Sequence, residues 1–226
     1  MANRPVFLPL PSGTALVRTI NVEFTWHAGL AVSQKQKSID SLHAAARTRL
    51  SISSVLEISS KSSNRLGVAL SAFNLHLQHA GRSVPIEILF QSSKRFEKGG
   101  PYSDLLNVLP REAKRDPRLQ TSGRLIEFVL GEERWPTEPR TAFYDWIYIN
   151  ALRDNPDLAS QLFNYQAFTD IEFNPERSIN CQANSAALFV SLVNQGVLDS
   201  ALTSKDSFLN ILTSKRQAAK EQQELF

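Results

Sequence analysis

The chain has 226 residues, 42% hydrophobic and 21% charged, with a net charge of +3, which indicates an ordinary globular protein and allows an anionic partner without requiring one. A single cysteine, Cys181, excludes an internal disulfide and a cysteine-based zinc cage, and four histidines lack the spacing of a metalloenzyme, so we expect no metal. No apolar run approaches the roughly 20 residues that span a bilayer, and the start lacks the pattern of an export signal, so we expect a cytoplasmic protein without a membrane partner.

The first 64 residues are predicted to form an extension that contains a strand, a helix and a second strand. Residues 1–13 are rich in proline, which predicts irregular backbone. Residues 15–26 alternate between apolar and polar side chains and include β-branched and aromatic residues, which indicates a strand. Residues 33–50 place apolar side chains at helical spacing, and residues 53–59 indicate a short strand.

A helix, a strand and a second helix are predicted next. Ser63 or Asn64 is a candidate cap for a helix over residues 65–73. Alternation over residues 73–78 predicts a strand, and a glycine turn follows it. Residues 85–96 predict one continuous helix with a proline at its first position.

The rest of the chain is predicted to be mainly helical. In chain order we expect a basic helix-and-loop segment at 110–123, a strand at 124–131, helices at 141–155 and 156–163, a strand or tight turn at 167–175, a helix at 178–196 and a helix from 203. These elements predict an α+β fold dominated by helices, with a small β component. The expected organisation is an N-terminal β/α extension over residues 1–64, a core domain over 65–200 and a helical tail over 201–226.

Three polar residues form a row in the predicted helix over residues 85–96. Glu87, Gln91 and Lys94 follow one another at i, i+4 and i+7, so at about 100° per residue they share one sector beside the apolar face. One interpretation is a boundary row, with the long side chains extending from the rim of a core to water. The other is the wall of a pocket that presents a carboxylate, an amide and an amine.

The segment over residues 70–96 resembles the signature of the NADAR superfamily, the YbiA-like proteins. The matching residues are Leu70, Ser71, Phe73, Gly81, Glu87, Gln91, Lys94 and Phe96. Ala72 departs from the asparagine that is usual in the family, and the acidic Asp-x-x-Trp-Gly stretch near the end of the family pattern is missing. Looser similarity extends over residues 65–196, so the resemblance implies a NADAR-like domain.

This resemblance implies an N-glycosidase that needs no metal and no cofactor. Some members cleave ribosylated pyrimidines, and others accompany DarT-like DNA ADP-ribosyltransferase toxins and remove ADP-ribose from guanine bases. The block over residues 24–43 and the segment 99–106 are similar to the toxin-associated subgroup, so we expect an antitoxin whose partners are ADP-ribose, ADP-ribosylated guanine in DNA or RNA, and a cognate toxin. Two alternatives are an N-glycosidase on a small ribosylated metabolite and a non-catalytic module that binds ADP-ribose or the toxin.

The resemblance implies that Lys94 is catalytic and that Glu87 is essential. A lysine with a lowered pKa can attack an anomeric carbon and form a Schiff base, but a neighbouring glutamate opposes that by raising the lysine pKa. Asp170 and Glu172 alternate with apolar residues in a predicted strand and would share a face, so they are candidates for a second acid or base, with Asp170 preferred. The alternative for both is a solvated strand face.

Several further residues are candidates for substrate binding. Gln91 would orient ribose hydroxyls, or be a solvated amide. Trp135, between an arginine and a proline, is interpreted as a pocket or loop aromatic that could stack on a base. Asn180 would hold ribose or phosphate, or cap its helix. The remaining candidates are Ser71 and Phe73 from the matching signature, and Arg95, Arg111, Lys114, Arg115 and Arg118 for phosphate, the last four with a solvated basic helix as the alternative.

Overall fold

The computed structural model describes residues 1–176 and 178–224, and the side chains of residues 216 and 218–224 lie outside the described part. The strands are Ala2–Pro9 (β1), Val17–Phe24 (β2), Val55–Glu57 (β3), His76–His79 (β4), Arg82–Pro85 (β5), Lys94–Phe96 (β6), Leu125–Leu130 (β7), Glu133–Pro136 (β8) and Ala167–Thr169 (β9). The α-helices are Val32–Leu50 (α1), Arg65–Ala69 (α2), Ile86–Ser92 (α3), Pro110–Arg115 (α4), Arg118–Thr121 (α5), Ala142–Asp154 (α6), Pro156–Ala159 (α7), Gln182–Asn194 (α8), Leu198–Ala201 (α9) and Lys205–Glu224 (α10). Two 3₁₀ helices cover Ser103–Asn107 and Ser160–Asn164. The predicted α+β class is confirmed.

The strands form three small sheets. The largest has the order β2-β1-β9-β3, in which β1 runs antiparallel to β2 and to β9 while β3 runs parallel to β9. β4 and β5 form a hairpin, and β6, β7 and β8 form an antiparallel sheet. Strands from the first 64 residues and from residues 167–169 therefore share one sheet. α6 and α8 pack against each other in the main core.

The predicted irregular backbone over residues 1–13 is wrong, because β1 occupies most of it. Its whole length pairs with β2, from Ala2 opposite Phe24 to Pro9 opposite Val17. The second neighbour, β9, pairs with β1 only at Phe7. Most of β1 is therefore an edge on that side, where the missing N–H of a proline costs no ladder hydrogen bond.

The single helix predicted over residues 85–96 is also wrong, because α3 ends at Ser92 and the chain continues as β6. The hydroxyl groups of Ser92 and Ser93 both donate to the carbonyl of Leu89, at 3.2 and 2.7 Å. Residues beyond them pair with β7, beginning with Lys94 opposite Phe128. Strand pairing with a distant segment therefore replaces the last turn that the local pattern predicted.

α2, which directly precedes the matching signature at residues 70–96, lies very close to β3. Of the two predicted caps, Ser63 and Asn64, it is Asn64 that caps α2. Its side chain accepts a hydrogen bond from the backbone N–H of Leu66 at 2.9 Å. A Cβ atom at Gly67 would lie 1.9 Å from the carbonyl oxygen of Glu57, so only glycine fits at this crossing. Among the described residues, no helix has the length and hydropathy needed to cross a bilayer.

Candidate active site

A cleft of about 1840 Å³ opens at the carboxyl ends of β3 and β9. Because these two strands run parallel, the segments that follow them leave the same edge of the sheet, where ligands bind in many sheets of this kind. α3, β6 and α4 form much of the rest of the lining, and β1, α1, α2, β7, α6 and α8 contribute further residues. The site is therefore assembled from elements that are widely separated along the chain.

The predicted polar row forms a hydrogen-bonded chain along one wall of this cleft. Gln91 donates from Nε2 to Oε1 of Glu87 at 2.8 Å, and Lys94 donates from Nζ to Oε1 of Gln91 at 2.8 Å. Glu87 and Gln91 are each 6% exposed, which excludes the solvated-amide interpretation of Gln91. All three side chains line the cleft, so the pocket-wall interpretation fits the structure although Lys94 lies on β6 and not on a helix.

The environment of Lys94 makes the amine easier to deprotonate than that of an exposed lysine. Burial lowers the pKa of Lys94 from 10.5 to about 8, with Glu87 opposing this change and Lys114 reinforcing it. The amine also lies 4.4 Å from the centre of the Phe90 ring. Gln91 separates Lys94 from the Glu87 carboxylate, and this spacing explains how an acidic neighbour coexists with a lowered lysine pKa.

Lys114 is the second cation beside Glu87. Its Nζ atom lies 3.7 Å from Oε2 of Glu87 and 5.3 Å from the centre of the Phe73 ring. The side chain is 57% exposed, so solvent screens this ion pair more than the buried hydrogen bond on the other oxygen. Lys114 balances the Glu87 charge from the cleft side and, as a like charge, disfavours the ammonium form of Lys94.

Asp170 and Glu172 both line the cleft, but they lie in a tight turn, which is one of the two predicted alternatives, and not on a shared face of a strand. β9 ends at Thr169, and residues 170–173 form a turn in which the N–H of Glu172 bonds to Oδ1 of Asp170 at 3.0 Å. Asp170 is 8% exposed, whereas Glu172 extends to the rim and pairs with Lys35 at 3.1 Å. Burial and the nearby Glu57 carboxylate raise the pKa of Asp170 well above its ordinary range. Asp170 therefore has the properties of a proton donor, and Glu172 those of a surface carboxylate.

A family profile described as the DarT1-associated NADAR antitoxin matches residues 2–223, which is nearly the whole chain. The chain belongs to this NADAR antitoxin family. The match confirms the resemblance read from residues 70–96 and extends it over the N-terminal segment. No curated protein is matched by the sequence.

Three other predicted residues lie near the NADAR cleft in different roles. Phe73 lines the cleft below Lys114, as an aromatic binding residue would. Asn180 also lines it, and its buried Oδ1 accepts no hydrogen bond from the described residues, while Cys181 and not Asn180 occupies the N-cap of α8. Ser71 is fully buried, donates to the carbonyl of Val68 at 2.7 Å and accepts from Asn74, so it shapes the backbone and does not reach the cleft.

Trp135 and Arg95 do not belong to the NADAR cleft. The prediction of a pocket aromatic at Trp135 is wrong, because the ring is 0% exposed and packs between Phe143 and Trp146 at centroid distances of 5.7 and 5.2 Å. Arg95 pairs with Glu127 at 2.8 Å, on the opposite face of β6 from Lys94. Both residues stabilise the three-stranded sheet.

The rim of the NADAR cleft is basic. Among the described residues, nine lysine or arginine side chains and four acidic side chains line the cleft. Arg111 and Arg115 are exposed on α4 and form no ion pair with the described part of the chain. Arg118 lies on α5 outside the cleft, where Asp104 and Asp116 neutralise it at 2.6 and 2.8 Å. The phosphate prediction therefore fits Arg111 and Arg115 and does not fit Arg118.

Two residues of the site were not predicted from the sequence. Glu57 is 2% exposed at the end of β3, and the only sequence signal was an acidic residue inside a short apolar strand. Gln182 accepts a hydrogen bond from the N–H of Ala72 at 2.7 Å and donates to the carbonyl of Ile58 at 2.6 Å. It joins the segment after β3 to the matching signature. Within the described residues, no three histidine, cysteine or acidic side chains lie together as a metal site would need.

Proposed function

We propose that the protein is an ADP-ribosyl N-glycosidase that removes ADP-ribose from modified guanine in DNA and so acts as the antitoxin to a DNA ADP-ribosyltransferase. The observation that supports this most is the Lys94 amine, which faces the cleft with a pKa of about 8 and is held by Gln91 at 2.8 Å. A partly neutral amine can attack an anomeric carbon at neutral pH.

The proposed reaction uses three side chains. Lys94 attacks the anomeric carbon as its bond to the guanine nitrogen breaks through an oxocarbenium-like state. Asp170, which keeps its proton because its pKa is raised by burial and by Glu57, supplies the proton that the leaving guanine nitrogen needs. Glu87 accepts a hydrogen bond from Gln91, which in turn holds the amine, so the carboxylate positions the nucleophile without direct contact. The bond between the anomeric carbon and the ring oxygen then breaks, a proton of the lysine nitrogen passes to that oxygen, and the opened sugar is held as a Schiff base. Water hydrolyses the Schiff base and regenerates the amine.

The shape and charge of the cleft favour a large anionic substrate over a small metabolite. Small-molecule sites commonly have volumes of about 300–1000 Å³, and this cleft has about 1840 Å³. The exposed side chains of Arg111 and Arg115 at the rim can contact phosphate groups of ADP-ribose or of a DNA backbone. Phe73 and the Asn180 oxygen, which accepts no hydrogen bond from the part of the chain that the structure describes, would then contact the base or the ribose inside the cleft.

A release assay tests the proposal. Purified protein is incubated with an oligonucleotide that contains ADP-ribosylated guanine, and with the corresponding modified nucleoside, and the products are followed by mass. Release of ADP-ribose from the oligonucleotide supports the proposal, whereas faster cleavage of the nucleoside would favour a metabolite substrate. Tight retention of ADP-ribose without release would show a binding module and overturn the proposed activity.

A further inference from the structure

The turn that contains Asp170 is held by a buried carboxylate on the neighbouring strand. Glu57 is the last residue of β3 and lies opposite Thr169, the last residue of β9. Its Oε2 accepts a hydrogen bond from the Thr169 hydroxyl at 2.7 Å, and its Oε1 accepts from the backbone N–H of Ile171 at 2.8 Å. Glu57 therefore binds the residues immediately before and after Asp170.

The hydrogen bonds also decide which of the two buried carboxyls keeps a proton. Burial raises the pKa of Glu57, and hydrogen bonds from Ile171, Thr169 and Ser59 oppose this change. Asp170 accepts a backbone hydrogen bond from Glu172. Hydrogen bonds to a carboxylate favour its charged form, and Glu57 accepts more of them than Asp170 does. Glu57 is therefore the ionised member of the pair and Asp170 the protonated one.

A third side chain extends this network into the core. His43 Nε2 lies 2.9 Å from the Thr169 hydroxyl, and burial followed by the effect of Arg47 lowers the pKa of His43 to about 4. His43 is therefore neutral at pH 7. The Thr169 hydroxyl has one hydrogen, which it donates to Glu57, so the Thr169 oxygen accepts the hydrogen bond from His43. The hydrogen bonds therefore run in one direction, from His43 through Thr169 to the Glu57 carboxylate.

We propose that Glu57 is a positioning residue that fixes the turn holding Asp170 and keeps Asp170 in its acid form for proton donation to the leaving base. This inference rests on the proposed N-glycosidase function. In the step concerned, the bond between the anomeric carbon and guanine nitrogen breaks, Lys94 nitrogen bonds to that carbon, and the Asp170 proton passes to the guanine nitrogen. The bond between the anomeric carbon and the ring oxygen then breaks, a proton of the lysine nitrogen passes to that oxygen, and a Schiff base forms. When water hydrolyses it, the Asp170 carboxylate takes the proton that is released, so the cycle returns to its starting state.

Charged and titratable groups face Asp170 from every element around it. Glu57 on β3 and Glu172 in the same turn raise the pKa of Asp170, and Lys114 on α4 lowers it. Burial raises the pKa values of three further neighbours, which keeps them neutral at pH 7: Tyr144, Tyr148 and Cys181. Glu172 and Lys114 are 42% and 57% exposed, so solvent screens their effects, whereas Glu57 is 2% exposed and its charge is screened less.

The test is a titration of the Asp170 carboxyl by ¹³C NMR, with the signal assigned from Asp170→Asn. In the intact protein we expect a midpoint well above the ordinary aspartate value, and in Glu57→Gln a midpoint lower by about one unit or more. Glu172→Gln is the matched control, and its exposed side chain predicts a smaller shift. An unchanged midpoint in Glu57→Gln would overturn the inference.

Variants at Thr169 keep the test decisive if Glu57→Gln does not fold. Thr169→Val removes the hydroxyl that donates to Glu57, so Glu57 takes up a proton more readily and the Asp170 midpoint falls. Thr169→Ser keeps the hydroxyl and should retain the midpoint of the intact protein. Equal midpoints in the two variants would contradict a role for the Glu57 carboxylate.

A kinetic readout separates this inference from the proposed function. Above the Asp170 midpoint, Glu57→Gln should lower kcat by about tenfold for each unit by which the Asp170 pKa falls, with KM unchanged. A rise in KM without a change in the pH profile would indicate a structural role and overturn the inference. The titration needs no substrate, so it remains decisive even if the intact protein releases no ADP-ribose and the proposed function fails.

Discussion

The Nζ atom of Lys114 lies 3.7 Å from Oε2 of Glu87, while Gln91 donates to the other oxygen of that carboxylate. The glutamate is therefore balanced by an exposed lysine at the cleft and not by direct contact with Lys94. Glu87 still raises the pKa of Lys94 across the intervening Gln91 side chain, and Lys114 lowers that pKa. Burial then determines that the amine loses its proton at a lower pH than an exposed lysine.

Glu87 and Lys114 should shift the pKa of Lys94 in opposite directions. Glu87→Gln removes an attraction for the ammonium and should lower the Lys94 pKa by about half a unit or more, while Lys114→Gln removes a repulsion and should raise it. The ¹³Cε shift of Lys94, followed by NMR as the pH is raised, measures both changes. Shifts in the same direction would contradict the arrangement described.

Replacing Lys94 with methionine should stabilise the fold and remove activity. The pKa is about 8 in the folded protein against 10.5, so the folded state binds fewer protons between these values and its stability rises as pH increases from 8 to 10.5. At pH 7 the buried ammonium costs free energy, and Lys94→Met should raise the free energy of unfolding by on the order of 1 kcal/mol.

Urea denaturation at pH 7 checks this result, with Lys98→Met as the control. Lys98 is exposed two residues after β6, so its replacement should change the free energy of unfolding by less than about 0.5 kcal/mol. If Lys94→Met lowered the free energy of unfolding, the charge of Lys94 would stabilise the fold. That result would contradict the expectation that the buried ammonium destabilises the folded protein.

The exposed arginines of α4 should contribute to binding of a DNA-linked substrate. Replacing Arg111 and Arg115 with glutamine should raise KM for a modified oligonucleotide and reduce the slope of its salt dependence by about one for each phosphate that is no longer neutralised. KM for the modified nucleoside should change less. Arg118→Gln is the matched control, because Asp104 and Asp116 already neutralise Arg118. Equal effects at the three positions would exclude a specific phosphate track along α4.

The crossing of α2 over β3 should not tolerate a side chain. In Gly67→Ala the new Cβ would lie 1.9 Å from the Glu57 carbonyl oxygen, and moving that backbone should cost about 2 kcal/mol or more. Gly81→Ala is the control for backbone strain alone, since open space surrounds a Cβ there and φ is +73°, and it should cost about 1 kcal/mol. Thermal unfolding compares the two variants, and equal destabilisation would show that the crossing is not tight.

The sequence predicts best where local pattern and tertiary structure agree. The helical spacing over residues 33–50 predicts α1 nearly to the residue, and the alternation over 15–26 predicts β2. It predicts poorly at residues 93–96, where pairing with β7 replaces the local preference for a helix, and it leaves a strand or a tight turn open at 167–175, where pairing with the parallel neighbour β3 stops at Thr169. These contacts join segments far apart in the chain, so no window of the sequence contains them.

The candidate site shows the same division. Glu87, Gln91 and Lys94 can be found from the sequence because they are close together in it and match a family signature. Glu57 cannot, since its role depends on β9, which lies more than a hundred residues away in the chain. The interpretation of Trp135 fails because its charged and proline neighbours describe the exposed side of β8, while the ring itself points into an aromatic core.

Trapping the covalent intermediate tests the central claim most directly. The protein is mixed with an oligonucleotide containing ADP-ribosylated guanine in the presence of cyanoborohydride, which reduces a Schiff base to a stable amine, and the sites of modification are mapped by peptide mass. We predict an adduct with the mass of reduced ADP-ribose on Lys94, and neither an adduct nor release in Lys94→Ala. Release of ADP-ribose by Lys94→Ala at an undiminished rate would contradict the nucleophilic role of this lysine.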